Sequence, residues 1–377
     1  MAGRTVKKDD KAGTWYYTLT YGKNEKGKPK QYKKRGFRTK QTALQAMNEL
    51  EHSLMNETYI KPNKTLYKEY MTEQWLEDKQ TKVKRQTLET YRWLVTKHVI
   101  PVLGSIELSK MRPEQIQGLY NKLTRDKNLS DENIQKVHTL INDSLKKTER
   151  WGLIQKNPAA LVDRPKSARK EINVWNIDEV KRFLNHPDND SRYSIAFLLA
   201  LTSGMRQGEI LGLRWKDVDF ENGLVRITQT LSSDGKEIQP YTKTKAGART
   251  INLPKGTMNA LKKHKKKIQV EREEDRAGEY VNLDLVVCSQ NGTPTNKSNI
   301  RRAFERAIKL SKVKRIKFHG MRHTHATMLL IQGVNPKVVS ERLGHSTVRM
   351  TLDVYSHLLP SMQRETADQL GKTLFDE

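Results

Sequence analysis

His319-Gly320-Met321-Arg322-His323-Thr324-His325, then Leu343-Gly344-His345, then Asp353-Val354-Tyr355-Ser356-His357: this stretch decides how the rest of the chain is read. Asn335 can cap a helix with Pro336 at its first position, and Gly344 can end that helix in a left-handed turn. His345 then falls just past a helix C-terminus, and Ser346 or Thr347 starts the segment that carries Tyr355. Alone, the stretch fits a phosphate-handling site, a histidine-metal cluster or a plain helical core. His319 and His323 have ligand spacing on one helical face. However, no nearby Asp or Glu completes a metal set, and Gly320 weakens the helix. His323, His325 and His357 read better as packing or supporting groups.

The 377 residues suffice for two or three domains. Lys+Arg 70 against Asp+Glu 43 gives a formal charge of +27, a field that draws polyanions, with nucleic acid the first candidate. No apolar run approaches the roughly 18 residues of a membrane span, and Met1-Ala2-Gly3-Arg4 does not open a signal peptide, so no membrane partner is expected. Cys288 is the single cysteine, which excludes an internal disulfide and a cysteine-rich zinc site and suits a reducing cytoplasm.

The first sixth of the chain is strongly basic. Thr14–Tyr21, rich in aromatic and β-branched residues, reads as a strand, and Gln31–Phe37 as a second with a basic face at Lys33, Lys34 and Arg35. Thr39 can cap a helix holding Ala43, Leu44, Met47 and Leu50 on one side. Residues 1–60 are therefore expected to form a small α+β DNA-binding domain, a three-stranded sheet plus one helix, able to lay cationic strands in a DNA groove. A solvated basic extension is the plainer alternative.

From about Lys61 the pattern becomes purely helical, and residues 63–163 are expected to form an all-α domain. Tyr67, Tyr70, Met71 and Trp75 share a face, as do Leu88, Tyr91 and Val95, and these stripes read as core rather than as stacking platforms. Arg112-Pro113 opens a further helix and Ser130, followed by Asp131 and Glu132, caps another. Lys82, Lys84 and Arg85 fall between helices, placed either to grip phosphates or to be solvated. Asn157-Pro158 and Arg164-Pro165-Lys166-Ser167 read as an interdomain linker. Residues 171–377 are expected to be mainly α with a small antiparallel sheet: a helix capped by Asn176 or Asp178, a buried helix Ser194–Leu201, and strands at Leu224–Thr228 and Arg249–Leu253. The tail Ser361–Glu377 is weakly amphipathic, suited to docking on a neighbouring subunit or folding back.

Cutting a DNA strand without water requires a nucleophile, a base for its proton, fixed charge for the transition state and an acid for the leaving oxygen. A tyrosine, with a pKa of about 10, needs a base and a cationic setting. Arginine forks suit the non-bridging oxygens, and a lysine on a mobile turn suits the departing one. Both are found upstream. Thr202-Ser203-Gly204-Met205-Arg206-Gln207-Gly208-Glu209 puts Arg206 after a glycine break with Glu209 one turn on, and Thr242–Arg249 puts Lys245 at a hairpin tip. These parts favour a site-specific DNA recombinase over a non-catalytic sequence-specific DNA-binding regulator, and over a metal-dependent nuclease.

In the order Arg206, Lys245, His319-x-x-Arg322, Leu343-Gly344-His345, Tyr355, the chain resembles the tyrosine recombinase family of phage and conjugative-transposon integrases, over residues from about 171 to 360. The helical segment before it resembles the family's core-binding domain in pattern. Residues 1–60 resemble the arm-type DNA-binding domain of Gram-positive integrases. The resemblance implies that Tyr355 attacks the scissile phosphate to give a 3′-phosphotyrosine and a free 5′-hydroxyl. It implies that Arg206, Arg322 and His345 bind the non-bridging oxygens, that His319 is the base and Lys245 the acid, and that Glu209 orients Arg206. It also implies integration and excision of a mobile element without metal, cofactor or ATP, by a homotetramer on double-stranded core and arm DNA. A directionality factor (excisionase), a DNA-bending host protein and the bacterial host cytoplasm belong to the same expectation.

Overall fold

The computed structural model describes residues 3–23, 27–56, 64–126, 129–166, 173–186, 191–232, 234–240, 248–275, 278–355, 367–368 and 371–375, with backbone only for 353–355. The chain divides into two compact units, Met1–Arg169 and Lys170–Glu377. None of the helices among the described residues is long and apolar enough to cross a membrane.

In the first unit, β1 (Arg4–Asp9), β2 (Thr14–Lys23) and β3 (Pro29–Phe37) form an antiparallel sheet in that order. Tyr17 and Leu19 on the inner face of β2 meet Met47 of α1 (Lys40–Met55) in a small core. The Thr39 hydroxyl accepts the Thr42 N–H, the cap the sequence suggests. Leu44 departs from expectation: it is 43% exposed. The buried stripe runs through Ala43, Met47, Leu50 and Leu54, and Leu44 is turned about 100° from it. Because side chains alternate along a strand, Tyr16 faces away from α1, with the Lys33 ammonium 4.8 Å and the Arg35 guanidinium 5.6 Å from its ring.

The helical part of this unit holds α2 (Tyr67–Glu69) and α3 (Leu76–Gln80), joined by a π-helical turn, Tyr70–Trp75. α4 (Arg85–Leu94) and α5 (Ile100–Leu103) are joined by another, Val95–Val99, and α6 (Pro113–Arg125) and α7 (Asp131–Arg150) follow. The aromatic stripes are core: Tyr67, Tyr70 and Trp75 are buried, and the Tyr67 hydroxyl lies 2.7 Å from that of Ser144. Ser130 occupies the N-cap of α7 with extended backbone, but its side chain makes no cap hydrogen bond; Asp131 and Glu132 supply the favourable charge. Asn157-Pro158 is not linker. Pro158 and Ala159 are buried, and Asn157 accepts the Ala159 N–H while donating to Asn142. Proline here starts a packed 3-10 turn, Pro158–Leu161, rather than ending structure.

The second unit has one main core, in which Trp175, Phe183, Phe197 and Phe304 pack with ring centroids 4.7 to 6.0 Å apart. Asn176 caps α8 (Ile177–Asn185). The apolar α9 (Ser194–Ser203) runs through this core and ends at Gly204, and α10 (Gln207–Gly212) begins at once. β4 (Val218–Asp219), β5 (Leu224–Ile227) and β8 (Arg249–Asn252) form one antiparallel sheet. β6 (Gln229–Leu231) and β7 (Ile238–Pro240) form a second. Then come α11 (Lys255–Glu273), α12 (Lys297–Ser311), α13 (Phe318–Ile331), α14 (Pro336–Leu343) and α15 (Val348–Tyr355). This is the mainly helical unit with small antiparallel sheets that the sequence suggests.

Candidate active site

The site forms where the end of α9, the start of α10, β8, α13 and the turn after α14 meet. Gly204 adopts φ +69°, and a Cβ there would stand 2.6 Å from the His325 ring and 2.7 Å from a Leu343 methyl. Only glycine allows both the left-handed turn and that approach. The turn delivers Arg206 to the N-cap of α10 with extended backbone. Its backbone N–H donates to Glu209 Oε2 at 2.8 Å, its Nη1 to Glu209 Oε1 at 2.8 Å, and its Nη2 to the Gly344 carbonyl at 2.9 Å. Arg322, buried on α13, donates from Nη1 to the Gly204 carbonyl at 2.7 Å. Each arginine thus braces the backbone beside another part of the site, Arg206 at His345's turn and Arg322 at Arg206's turn.

His345 follows Gly344, which ends α14 at φ +68° as the sequence suggests. The His345 N–H donates to the Ser340 carbonyl, and its Nδ1 lies 2.8 Å from the buried Thr351 hydroxyl on α15. When that hydroxyl donates to Nδ1, the ring proton sits on Nε2, ready for an anionic oxygen. Burial, then the charges of Arg322 and Arg206, push His345 down to about 4. His319 lies below the usual histidine range through burial, Arg322 and Arg206, with Glu209 opposing. Burial and then His319 push His323, whose ring centroid is 4.8 Å from that of His319, down to about 4. These rings are therefore neutral near pH 7. They feel the same arginines because they surround the same space, and an anion entering it would oppose the repulsion.

Two arginines that the sequence reading did not single out lie beneath. Glu209 is fully buried; burial alone would raise its pKa, but Arg249's hydrogen bonds and charge, aided by Arg206, hold it at about 2. Arg249 donates to both Glu209 oxygens and from Nε to the Arg342 carbonyl at 2.7 Å. Arg342 reaches His325 Nε2 at 3.1 Å and the carbonyls of Thr202 and Asn252. His325, with Nδ1 2.8 Å from the Leu201 carbonyl, is a buried packing group, as the sequence suggests. Arg249 had a readable signal. It shares strand parity with the inward Ile251 and Leu253, which marks an arginine facing the core.

Arg206, Glu209, His319, Arg322 and His345 are thus brought together. Tyr355 is the last residue of α15, one helical turn beyond Thr351, and Lys245 lies outside the described residues. Among the described residues no group of three or more His, Cys, Asp or Glu is placed to hold a metal ion. Of the cations proposed for DNA, Lys33, Lys34 and Arg35 are exposed on β3. Lys82, Lys84 and Arg85 are exposed around the turn into α4, Lys82 being 2.6 Å from Asp78 and Arg85 3.2 Å from Glu89.

Comparison with known proteins matches residues 174–362 to the phage integrase family, spanning half of the chain. The chain belongs to the phage integrase family. The integrase also matches an arm DNA-binding domain at residues 5–54 and the phage integrase N-terminal SAM-like domain at 67–124. It is 29% identical to a tyrosine recombinase XerC-like protein of Caldanaerobacter subterraneus over 71% of its own length and 73% of the relative's. It is 26% identical to the ICEBs1 integrase of Bacillus subtilis, over 76% and 77%. In fold it is similar to the Tn1549 transposon integrase, solved with a circular intermediate DNA, at TM-score 0.66 and 23% identity over 78% of this chain and 98% of that one. A lambda integrase tetramer on a Holliday junction superposes at TM-score 0.59 and 16% identity, covering 93% and 94%. The integrase is an enzyme, a tyrosine-type site-specific recombinase.

Proposed function

We propose that Tyr355 is the nucleophile, attacking a scissile DNA phosphate to form a 3′-phosphotyrosine and release a 5′-hydroxyl. Arg206, Arg322 and His345 hold the non-bridging oxygens, so charge that develops in the transition state meets donors already fixed by Glu209, Gly204 and Thr351. Neutral His319 takes the tyrosine proton, and Lys245 protonates the departing 5′ oxygen. One phosphate ester replaces another, so neither metal nor ATP is required. The observation that carries this reading is the convergence of Arg206, Arg322 and two neutral imidazoles on one space, from segments far apart in sequence.

In this reading residues 1–60 bind arm DNA through Lys33, Lys34 and Arg35. Residues 63–163 grip core DNA through Lys82, Lys84 and Arg85, and residues 171–377 perform the chemistry in a tetramer. An excisionase and a DNA-bending host protein would set direction, with the host cytoplasm as the setting.

The test is to incubate the chain with fragmented bacterial genomic DNA, in EDTA, and sequence the fragments that stay covalently attached. One recurrent sequence joined to Tyr355 is expected, and Tyr355→Phe should keep DNA affinity yet form no adduct. An adduct on the Phe variant, or cleavage that EDTA abolishes, overturns the reading. Lys243→Ala and Lys245→Ala, assayed side by side on the recovered fragment, test the acid: Lys245→Ala is expected to slow cleavage the more.

A further inference from the structure

We infer that Arg249 is a positioning residue for strand cleavage, fixing the Arg206 fork through Glu209 and the His345 turn through the Arg342 carbonyl. The inference rests on the reading that Arg206 and His345 hold the phosphate. Its geometry is a closed ring of hydrogen bonds. Glu209 Oε1 accepts Nη1 of Arg206 at 2.8 Å and of Arg249 at 3.2 Å. Oε2 accepts the Arg206 backbone N–H at 2.8 Å and Arg249 Nη2 at 2.9 Å. Four donors leave the carboxylate no freedom to rotate, so its plane sets the plane of Arg206. On its other side Arg249 Nε holds the Arg342 carbonyl, two residues before the Gly344 carbonyl that Arg206 itself holds. Positions 206, 209, 249, 342 and 344 therefore form one frame across three segments.

Arg249 cannot itself meet the phosphate in this arrangement. Its side chain is 8% exposed, and the donors described above end on protein oxygens. Its work is to keep another arginine within the narrow tolerance that transition-state binding demands, where a displacement of about 1 Å can cost about a hundredfold in rate. Lysine is a poor substitute, because a point ammonium cannot span both carboxylate oxygens and a carbonyl at once.

Among the described residues, the charged and titratable groups acting on Glu209 include Arg206 on α10, Arg249 on β8 and His319 on α13, with Arg322 acting on His319 and Arg342 on Arg249. Removing Arg249 takes from the buried carboxylate the hydrogen bonds and the charge that lower its protonation most. Its protonation then moves upward toward neutrality, and a protonated Glu209 no longer steers Arg206.

The test uses the full chain and the fragment recovered by covalent trapping, prepared as a nicked duplex. Single-turnover adduct formation is followed from pH 5.5 to 9 for the wild type, Arg249→Lys and Arg249→Ala, with gel-shift affinity and thermal unfolding alongside. Arg249→Ala is expected to slow the adduct about 10- to 100-fold at neutral pH, to bind DNA within about threefold of wild type, and to gain an acid limb on which the rate rises with pH. Arg249→Lys, keeping the charge, is expected to lose less and gain no limb. A folded alanine variant with the wild-type rate and pH profile overturns the assignment. So does a pH-independent loss that lysine does not relieve, the mark of a merely structural role. Should alanine not fold, a lysine variant at the wild-type rate overturns it equally. Adduct formation by Tyr355→Phe would instead place the failure in the nucleophile reading.

Discussion

Arg35 on β3 and Arg249 on β8 are both cationic residues in small antiparallel sheets, and their surroundings differ completely. Arg35 rests against the Tyr16 ring with its side chain 61% exposed and a 3.4 Å contact to Asp9. Arg249 is 8% exposed and ends on a buried carboxylate and a carbonyl. The first can act only by adding charge to a surface that water and salt also reach. The second acts by holding geometry, and the same charge in the interior would be intolerable without Glu209. A basic protein of net charge +27 thus contains two kinds of cation. One is numerous, exposed and individually weak. The other is buried and held by hydrogen bonds to a carboxylate and a carbonyl.

The largest effect that can break this contrast comes from Glu209. Glu209→Leu strands Arg249 beside Arg206, and breaking a buried pair on one side costs about 3–5 kcal/mol. The second unit should unfold at a temperature lower by about 6–20 °C, seen by calorimetry; a stable variant would show that Arg249 does not need its partner. Gly204→Ala comes next. A left-handed alanine plus overlap with His325 and Leu343 should cost about 2–4 kcal/mol in urea unfolding. If alanine is tolerated there, the close packing beneath the arginines is not required.

A third prediction concerns acid. His323, His325 and His345 are each pushed down to about 4, by burial first and then by neighbouring charge. The unfolded chain takes up these protons near pH 6.5 and the folded chain only near 4, so the unfolded state binds more protons between those values. Stability therefore falls as pH falls through that window, and urea unfolding at pH 7.5 and 5.5 should show it. An unchanged midpoint would mean the rings titrate normally. The smallest effect belongs to the exposed sheet. Lys33→Ala with Arg35→Ala should lower the slope of log affinity against log salt by about 2 on duplex DNA and leave adduct formation on the recovered core fragment nearly unchanged. A collapse of cleavage would erase the distinction between the two kinds of cation.

What the sequence disclosed followed a physical rule. Caps and turns are local, so Thr39, the Asn335-Pro336 pair, Gly204 and Gly344 could be read directly, and with them the positions of Arg206 and His345. The cap of α8 was narrowed to Asn176 or Asp178, and the structure takes Asn176. Strand and helix periodicity placed β5, β8 and the buried α9. Arg342 was not legible, because two of its acceptors are main-chain oxygens of Thr202 and Asn252, which no side-chain pattern encodes, and the third, His325, is brought to it only by the fold. Asn157-Pro158 misled because proline stops a regular helix and also starts a packed 3-10 turn, and only the surrounding core decides which.

Thr351 has one further consequence. Its hydroxyl, on the helix that ends at Tyr355, lies 2.8 Å from His345 Nδ1. When that hydroxyl donates, the imidazole receives its phosphate-binding tautomer from the same helix that carries Tyr355, the proposed nucleophile. On the proposed assignment, two conditions, an Nε2–H donor for the phosphate and the helix of Tyr355 in its seat, then collapse into one. Under the proposed assignment the arrangement works as an interlock: displacing α15 removes the proposed nucleophile and the hydroxyl partner of His345 together.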